Sequence, residues 1–205
     1  MAYDDFEDET LDRWDNTIST GGTPSNTTLA AKFGARGCRL TMDGANDAAS
    51  CRMVNLEENA ASGNYYTWVR TSNAAKSECA FAILGQTVGH ELGHMVWRIS
   101  ELITYSGAVR NDFAAKLDSN TWYRFRITYS NTTDLVSYYL YDSNNNFIES
   151  ILNVTPTDNE DIGQTRFIAW DRDTSSQTID FDNTCYTSTD EPVPSVQFMA
   201  MRKYL

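Results

Sequence analysis

The chain is poor in the residues from which many functional motifs are built. It holds only two histidines, four cysteines and four prolines in 205 residues. The cysteines, Cys38, Cys51, Cys79 and Cys185, show no C-x-x-C spacing, which argues against a zinc knuckle or a thioredoxin-type site. They allow two disulfides, with Cys38–Cys51 as the first candidate because the pair flanks a plausible hairpin, or four buried thiols that pack as small hydrophobes. Basic residues are scarce too: 16 Lys+Arg against 28 Asp+Glu leave a formal net charge of -12. A surface of that sign repels phosphates and anionic lipids, so neither nucleic acid nor a membrane is expected as a partner. No stretch approaches the roughly 18 apolar residues of a transmembrane helix. The acidic start Met1-Ala2-Tyr3-Asp4-Asp5 lacks the apolar core of a secretory signal, so a route to the outside would have to avoid secretion.

What the chain does have is aromatic and apolar: 41% hydrophobic residues and 12% aromatic ones, enough for a globular core. Strand signals dominate. In Thr121–Tyr129, Tyr123, Phe125, Ile127 and Tyr129 alternate with Trp122, Arg124, Arg126 and Thr128, the pattern of a half-buried strand. Turn clusters at Ser130–Asp134 and Asp142–Asn146 separate it from runs at 135–141 and 147–152. Similar runs lie at 37–42, 51–56, 65–71, 79–84, 165–170 and 177–187. This spacing predicts an all-β fold, a two-sheet antiparallel β-sandwich over residues 1–188. The Thr189–Pro194 stretch, with two prolines, starts an extended C-terminal tail over 189–205, expected either to dock back or to serve as an assembly handle for a homo-oligomer or another chain.

The sharpest motif is His90-Glu91-Leu92-Gly93-His94, which uses both histidines. On a helix it would set two imidazoles on one face with a glutamate beside them, the zinc-protease arrangement. Apolar residues at Val88, Leu92, Met95, Val96, Ile99, Leu102 and Ile103 recur near a 3.6 period and favour a helix. Against it, no third histidine exists, Trp97 and Ser100 occupy the positions of the extended zinc-protease pattern, and Glu101 lies on the same segment. Met95–Ser100 also reads as a strand, with Gly89 and Gly93 in the preceding turn. The expectation is a turn leading into a Trp97 strand, with Zn²⁺ bound by His90 and His94 as the alternative.

The order of segments resembles the concanavalin A-like, laminin G-like jelly-roll superfamily. The resemblance runs from Asp4-Asp5-Phe6 through Leu11 and Trp14, by way of Val96–Ser100 and Leu117–Ile127, to Ile179–Tyr186. It implies two packed antiparallel sheets. That superfamily includes lectins, glycosidases, polysaccharide lyases and non-catalytic virion or adhesin domains, so fold does not choose among them. The Glu-x-Asp-x-x-Glu run of its glycosidases is missing, and a lyase would need His, Tyr and Arg converging in a groove. The resemblance also implies a structural Ca²⁺ held by Asp4, Asp5 and Asp182, oxygen ligands suited to a hard cation. For glycan binding, Trp68, Trp97, Arg98, Tyr105, Arg126 and Trp170 are the candidate set, expected on strands of one sheet. The expectation is a non-catalytic module for surface or glycan recognition, with no catalytic residue assigned, in a virion or extracellular setting; its partners would be a glycan or a capsid or cell-surface protein. The alternatives are the zinc protease and a secreted glycan-active hydrolase or lyase.

Overall fold

A computed structural model of the protein describes residues 3–12, 14–18, 22–42, 48–54, 60–87, 90–171 and 176–187; the tail at 189–205 lies outside them. Of residues 3, 4, 15–18, 48–54, 171, 186 and 187 it describes the backbone alone. The described residues form fifteen strands: β1 (Tyr3–Asp4), β2 (Trp14–Ile18), β3 (Gly22–Thr27), β4 (Gly37–Met42), β5 (Ala48–Val54), β6 (Ser62–Thr71), β7 (Ser77–Gly85), β8 (Glu91–Arg98), β9 (Glu101–Ser106), β10 (Val109–Lys116), β11 (Tyr123–Ser130), β12 (Leu135–Tyr141), β13 (Phe147–Val154), β14 (Ile162–Asp171) and β15 (Gln177–Thr187). A single 3-10 turn, Thr28–Ala30, precedes β4.

The strands build two sheets. One runs β13-β12-β11-β6-β15-β4-β3, with β1 added on β15; the other runs β10-β9-β8-β7-β14-β5-β2. Alternation decides what each strand buries. In β11, Tyr123, Phe125, Ile127 and Tyr129 face the core, and in β7 Cys79, Phe81 and Ile83 do so from the opposite sheet. Between the sheets the rings stack: Phe167 lies 4.1 Å from Phe181 and 4.7 Å from Trp14, centroid to centroid. At one edge the sheets are clasped by Glu149 of β13, whose carboxylate accepts the amide N–H groups of Ala114 and Ala115 in β10.

Two of the alternatives that the sequence left open fall away here. Cys38, Cys79 and Cys185 are buried and outside any disulfide, so the Cys38–Cys51 bridge does not form; the side chain of Cys51 lies outside the described ones. The reason is topological: β4 and β5 are not a hairpin but lie in opposite sheets. Residues 91–98 form the expected Trp97 strand, which begins at Glu91 and so takes Gly93 out of the expected turn; the helix of the zinc alternative is absent there, and the imidazoles of His90 and His94 do not share a helix face.

Candidate functional site

The outer face of the seven-stranded sheet carries the most concentrated chemistry. Because Cys79, Phe81 and Ile83 point inward, Glu78, Ala80 and Ala82 point out. The register then lines up side chains across β14, β7, β8 and β9 in three rows: Trp170, Glu78, Arg98 and Glu101; Ile168, Ala80, Val96 and Ile103; and Arg166, Ala82, His94 and Tyr105. The two central alanines offer only methyl groups, so the longer flanking side chains lean over them. The result is an open cleft of about 290 Å³ lined by Glu78, Glu91, His94, Arg98, Tyr105 and Trp170, among others.

His94 is the chemical centre of this cleft. Its Nε2 lies 3.6 Å from Glu91 Oε1, and burial pushes its pKa below the ordinary histidine value against the pull of Glu91, with Arg166 lowering it further. A neutral imidazole results, with one nitrogen to donate and one to accept. Arg98 Nε sits 3.7 Å from Glu78 Oε2, which fixes the guanidinium at the cleft wall.

The expected glycan set divides three ways. Arg98, Tyr105 and Trp170 come together at this cleft. Trp97, beside Arg98 in sequence, points the other way: it is fully buried, edge-on to Tyr123 at 5.5 Å, and its faces are closed to any ligand. Trp68 and Arg126 belong to the other sheet, so the six do not share one sheet. Trp68 is also covered, with Phe33 edge-on at 5.4 Å and Lys32 Nζ 4.9 Å from its ring centroid. Its ring is therefore closed to a sugar. Alternation gives a residue's face relative to the core but not its sheet, and jelly-roll connections move between sheets. Glu78 and Arg166 were not singled out in the sequence. Glu78 opens the nearly continuous apolar run of β7, which hides its facing, whereas Arg166 alternates with Ile168 and Trp170 and was legible.

The metal expectations fare differently. His90 Nδ1 pairs with Glu160 Oε1 at 2.7 Å, away from His94, and no cluster of three or more His, Cys, Asp or Glu suited to a metal occurs among the described residues. At the expected calcium site, Asp182 Oδ2 accepts the amide N–H groups of Lys32 and Phe33, each at 2.7 Å, and Oδ1 accepts that of Asn183 at 2.7 Å. N–H protons directed at both oxygens make this a backbone cradle for the carboxylate. Asp5 Oδ1 accepts the Glu7 N–H at 3.3 Å, while the side chain of Asp4 lies outside the described ones. Among the described residues, no group of three or more His, Cys, Asp or Glu surrounds Asp182. β1 does pair with β15, so the opening segment meets the last strand as the resemblance implies.

No protein-family model and no curated protein matches the sequence. Solved structures do match in shape. A sialidase superposes with a TM-score of 0.71 at 11% identity over 92% of this chain, which spans only 18% of that protein's length. An endo-β-1,4-glucuronan lyase from the fungus Trichoderma reesei gives 0.65 at 12% identity, covering 91% of this chain and 94% of the lyase. The cellulose induced protein Cip1 gives 0.64 at 16% identity, covering 95% of this chain and all of Cip1. The shared property is the antiparallel β-sandwich. Two packed antiparallel sheets are consistent with the concanavalin A-like resemblance.

Proposed function

We propose that the chain is a carbohydrate-recognition β-sandwich that holds a saccharide in the cleft on the outer face of its seven-stranded sheet. One observation carries the reading: Trp170 and Tyr105 meet His94, Arg98, Glu78 and Glu91 around a single open cleft. Aromatic rings stack on the C–H face of a sugar while fixed polar groups take its hydroxyls. Sialidase and glucuronan lyase, named for their action on glycans, share the architecture and add support. Titration against a panel of neutral and acidic oligosaccharides tests the reading. Trp170→Ala is expected to weaken binding at least tenfold with an unchanged melting midpoint; a wild type that binds no saccharide would sink the idea.

A second reading, glycan-active enzyme, is favoured by one arrangement. His94 and Tyr105 are direct cross-strand partners, and the neutral imidazole is poised to exchange a proton with a hydroxyl in the cleft. Product analysis of bound oligosaccharides separates the two readings: cleavage that His94→Gln abolishes while binding persists makes the protein an enzyme, and intact ligand makes it a binding module. The virion setting belongs to the same proposal. Mass spectrometry of purified particles tests it, and a chain missing from every particle fraction would remove it.

A further inference from the structure

We propose that Arg124, on the outer face of the eight-stranded sheet, anchors the carboxylate of an acidic saccharide at a site separate from the cleft. The saccharide part rests on the carbohydrate reading above; the carboxylate part rests on the guanidinium itself.

Four arginines sit on this face: Arg39 on β4, Arg70 on β6, and Arg124 and Arg126 on β11. Three of them spend the Nε/Nη2 edge on a protein oxygen. Arg39 gives Nε and Nη2 to Asp180 at 2.6 and 3.0 Å, and Arg70 directs the same edge at Asp180 Oδ2. Arg126 gives both nitrogens to Asn64 Oδ1. Arg124 differs. Its Nη1 donates to Asn145 Oδ1 at 2.7 Å, but Nε and Nη2 are buried and meet no acceptor among the described residues. The residue is only 5% exposed. Among the described residues, the groups that act on it electrostatically are Tyr66, Tyr141, Arg126 and Cys185, none of them a carboxylate.

A buried cation with no described carboxylate beside it is costly, and the edge without an acceptor is the one whose two parallel N–H groups match a carboxylate bidentately. Its orientation is held in advance. The guanidinium carbon lies 4.2 Å from the Tyr66 ring centroid and 5.2 Å from that of Tyr141, and Asn145 fixes the opposite nitrogen. Next along the strand, Arg126 stacks over Tyr139 at 4.9 Å. Tyr139 and Tyr141 are half-buried, so their edges reach the surface beside the two cations. A uronic acid combines the two chemistries this pairing takes, a carboxylate for the guanidinium and a sugar C–H face for a tyrosine ring.

Calorimetric titration of wild type, Arg124→Lys, Arg124→Met and Trp170→Ala with a glucuronate oligomer, a matched glucose oligomer and acetate tests this. The glucuronate oligomer is expected to bind wild type in preference to the glucose oligomer. Arg124→Lys, which keeps the charge and loses the fork, should cut the preference for the glucuronate oligomer at least tenfold, Arg124→Met should abolish that preference, and Trp170→Ala, which lowers the affinity of the cleft for both oligomers, should leave the preference in place. Ligand-free Arg124→Met is expected to melt no lower than wild type, because it removes an unpaired buried cation, so lost binding cannot be blamed on unfolding. Acetate binding as tightly as the oligomer, dependent on Arg124, upholds the carboxylate site and overturns the saccharide. Equal affinity for the glucose oligomer, or unaltered glucuronate binding in both Arg124 variants, overturns the proposal. If Trp170→Ala alone abolishes glucuronate binding, the acidic sugar occupies the cleft: the Arg124 site falls and the carbohydrate reading survives.

Discussion

Truncating Trp97 and truncating Trp170 separate packing from recognition. Trp97 is sealed between the sheets against Tyr123 and Phe125, so Trp97→Ala removes a large buried ring and leaves a cavity. A loss of about 3–5 kcal/mol is expected, read as a lowered denaturation midpoint. Trp170 stands at the mouth of the cleft, and its removal is expected to change stability by less than about 1 kcal/mol while taking saccharide affinity with it. The alternation of Trp97 with Arg98 announces that the two face opposite ways, but nothing local says which one faces the core. His94 adds a pH signature at the same scale. Its folded pKa lies below the unfolded value because burial disfavours the imidazolium. Its contribution to stability is therefore fully present above about pH 6.5 and lost as the pH falls through the folded pKa, because only the unfolded state takes up the proton. The wild-type loss of stability between pH 7 and 5 is expected to exceed that of His94→Gln; parallel profiles would show that His94 titrates normally.

The β8–β9 hairpin is the element that aims the cleft. Arg98 pairs with Glu101, leaving Ile99-Ser100 as a two-residue loop, and both have positive φ, 51° and 61°. That is the geometry of a type I′ turn, which Asn-Gly satisfies and a β-branched residue resists. The loop is nevertheless held, since the Ile99 and Ser100 amides donate to Ser77 O and Ala74 O. Ile99 is exposed, so its side chain offers little packing in return. Replacing the pair by Asn-Gly is expected to raise stability by about 1–2 kcal/mol, relieving roughly 1 kcal/mol per left-handed residue; an unchanged or lower melting midpoint would show that the loop is not strained. This turn also explains how the His-Glu-x-x-His segment misleads. Apolar residues from Val88 to Ile103 fit a helical period by merging two strands, and the turn between them carries no glycine, proline or asparagine to mark it. Where punctuation was present, as at Asp142–Asn146 between β12 and β13, the strand bounds were legible in the sequence, and 37–42, 135–141 and 177–187 coincide with β4, β12 and β15.

Across the whole molecule, Asp182 joins the segment before β4 to the last full strand, a contact spanning about three quarters of the sequence. Spacing could bring acidic residues of the opening segment and β15 into one neighbourhood, but it could not show that three backbone N–H groups would meet the carboxylate. Chelator treatment is accordingly expected to leave the melting midpoint unchanged; a fall on chelation, restored by Ca²⁺, would return the ion to the site. The cradle also has a pH dependence of its own. Burial pushes the Asp182 carboxyl up to about 7, well above the usual aspartate range, with the Glu7 charge adding to the rise, although three N–H donors favour the anion. For an acid whose folded pKa exceeds its unfolded one, the stabilising contribution is full below about pH 4 and lost as the pH climbs through 7, on the order of 4 kcal/mol in all. This runs opposite to His94, so each effect is read as a difference between wild type and variant. Asp182→Asn keeps one acceptor oxygen and cannot ionise. Its profile is expected to lose the decline between pH 4 and 7, and a decline as steep as that of wild type would mean that the three N–H donors already hold Asp182 as an anion throughout.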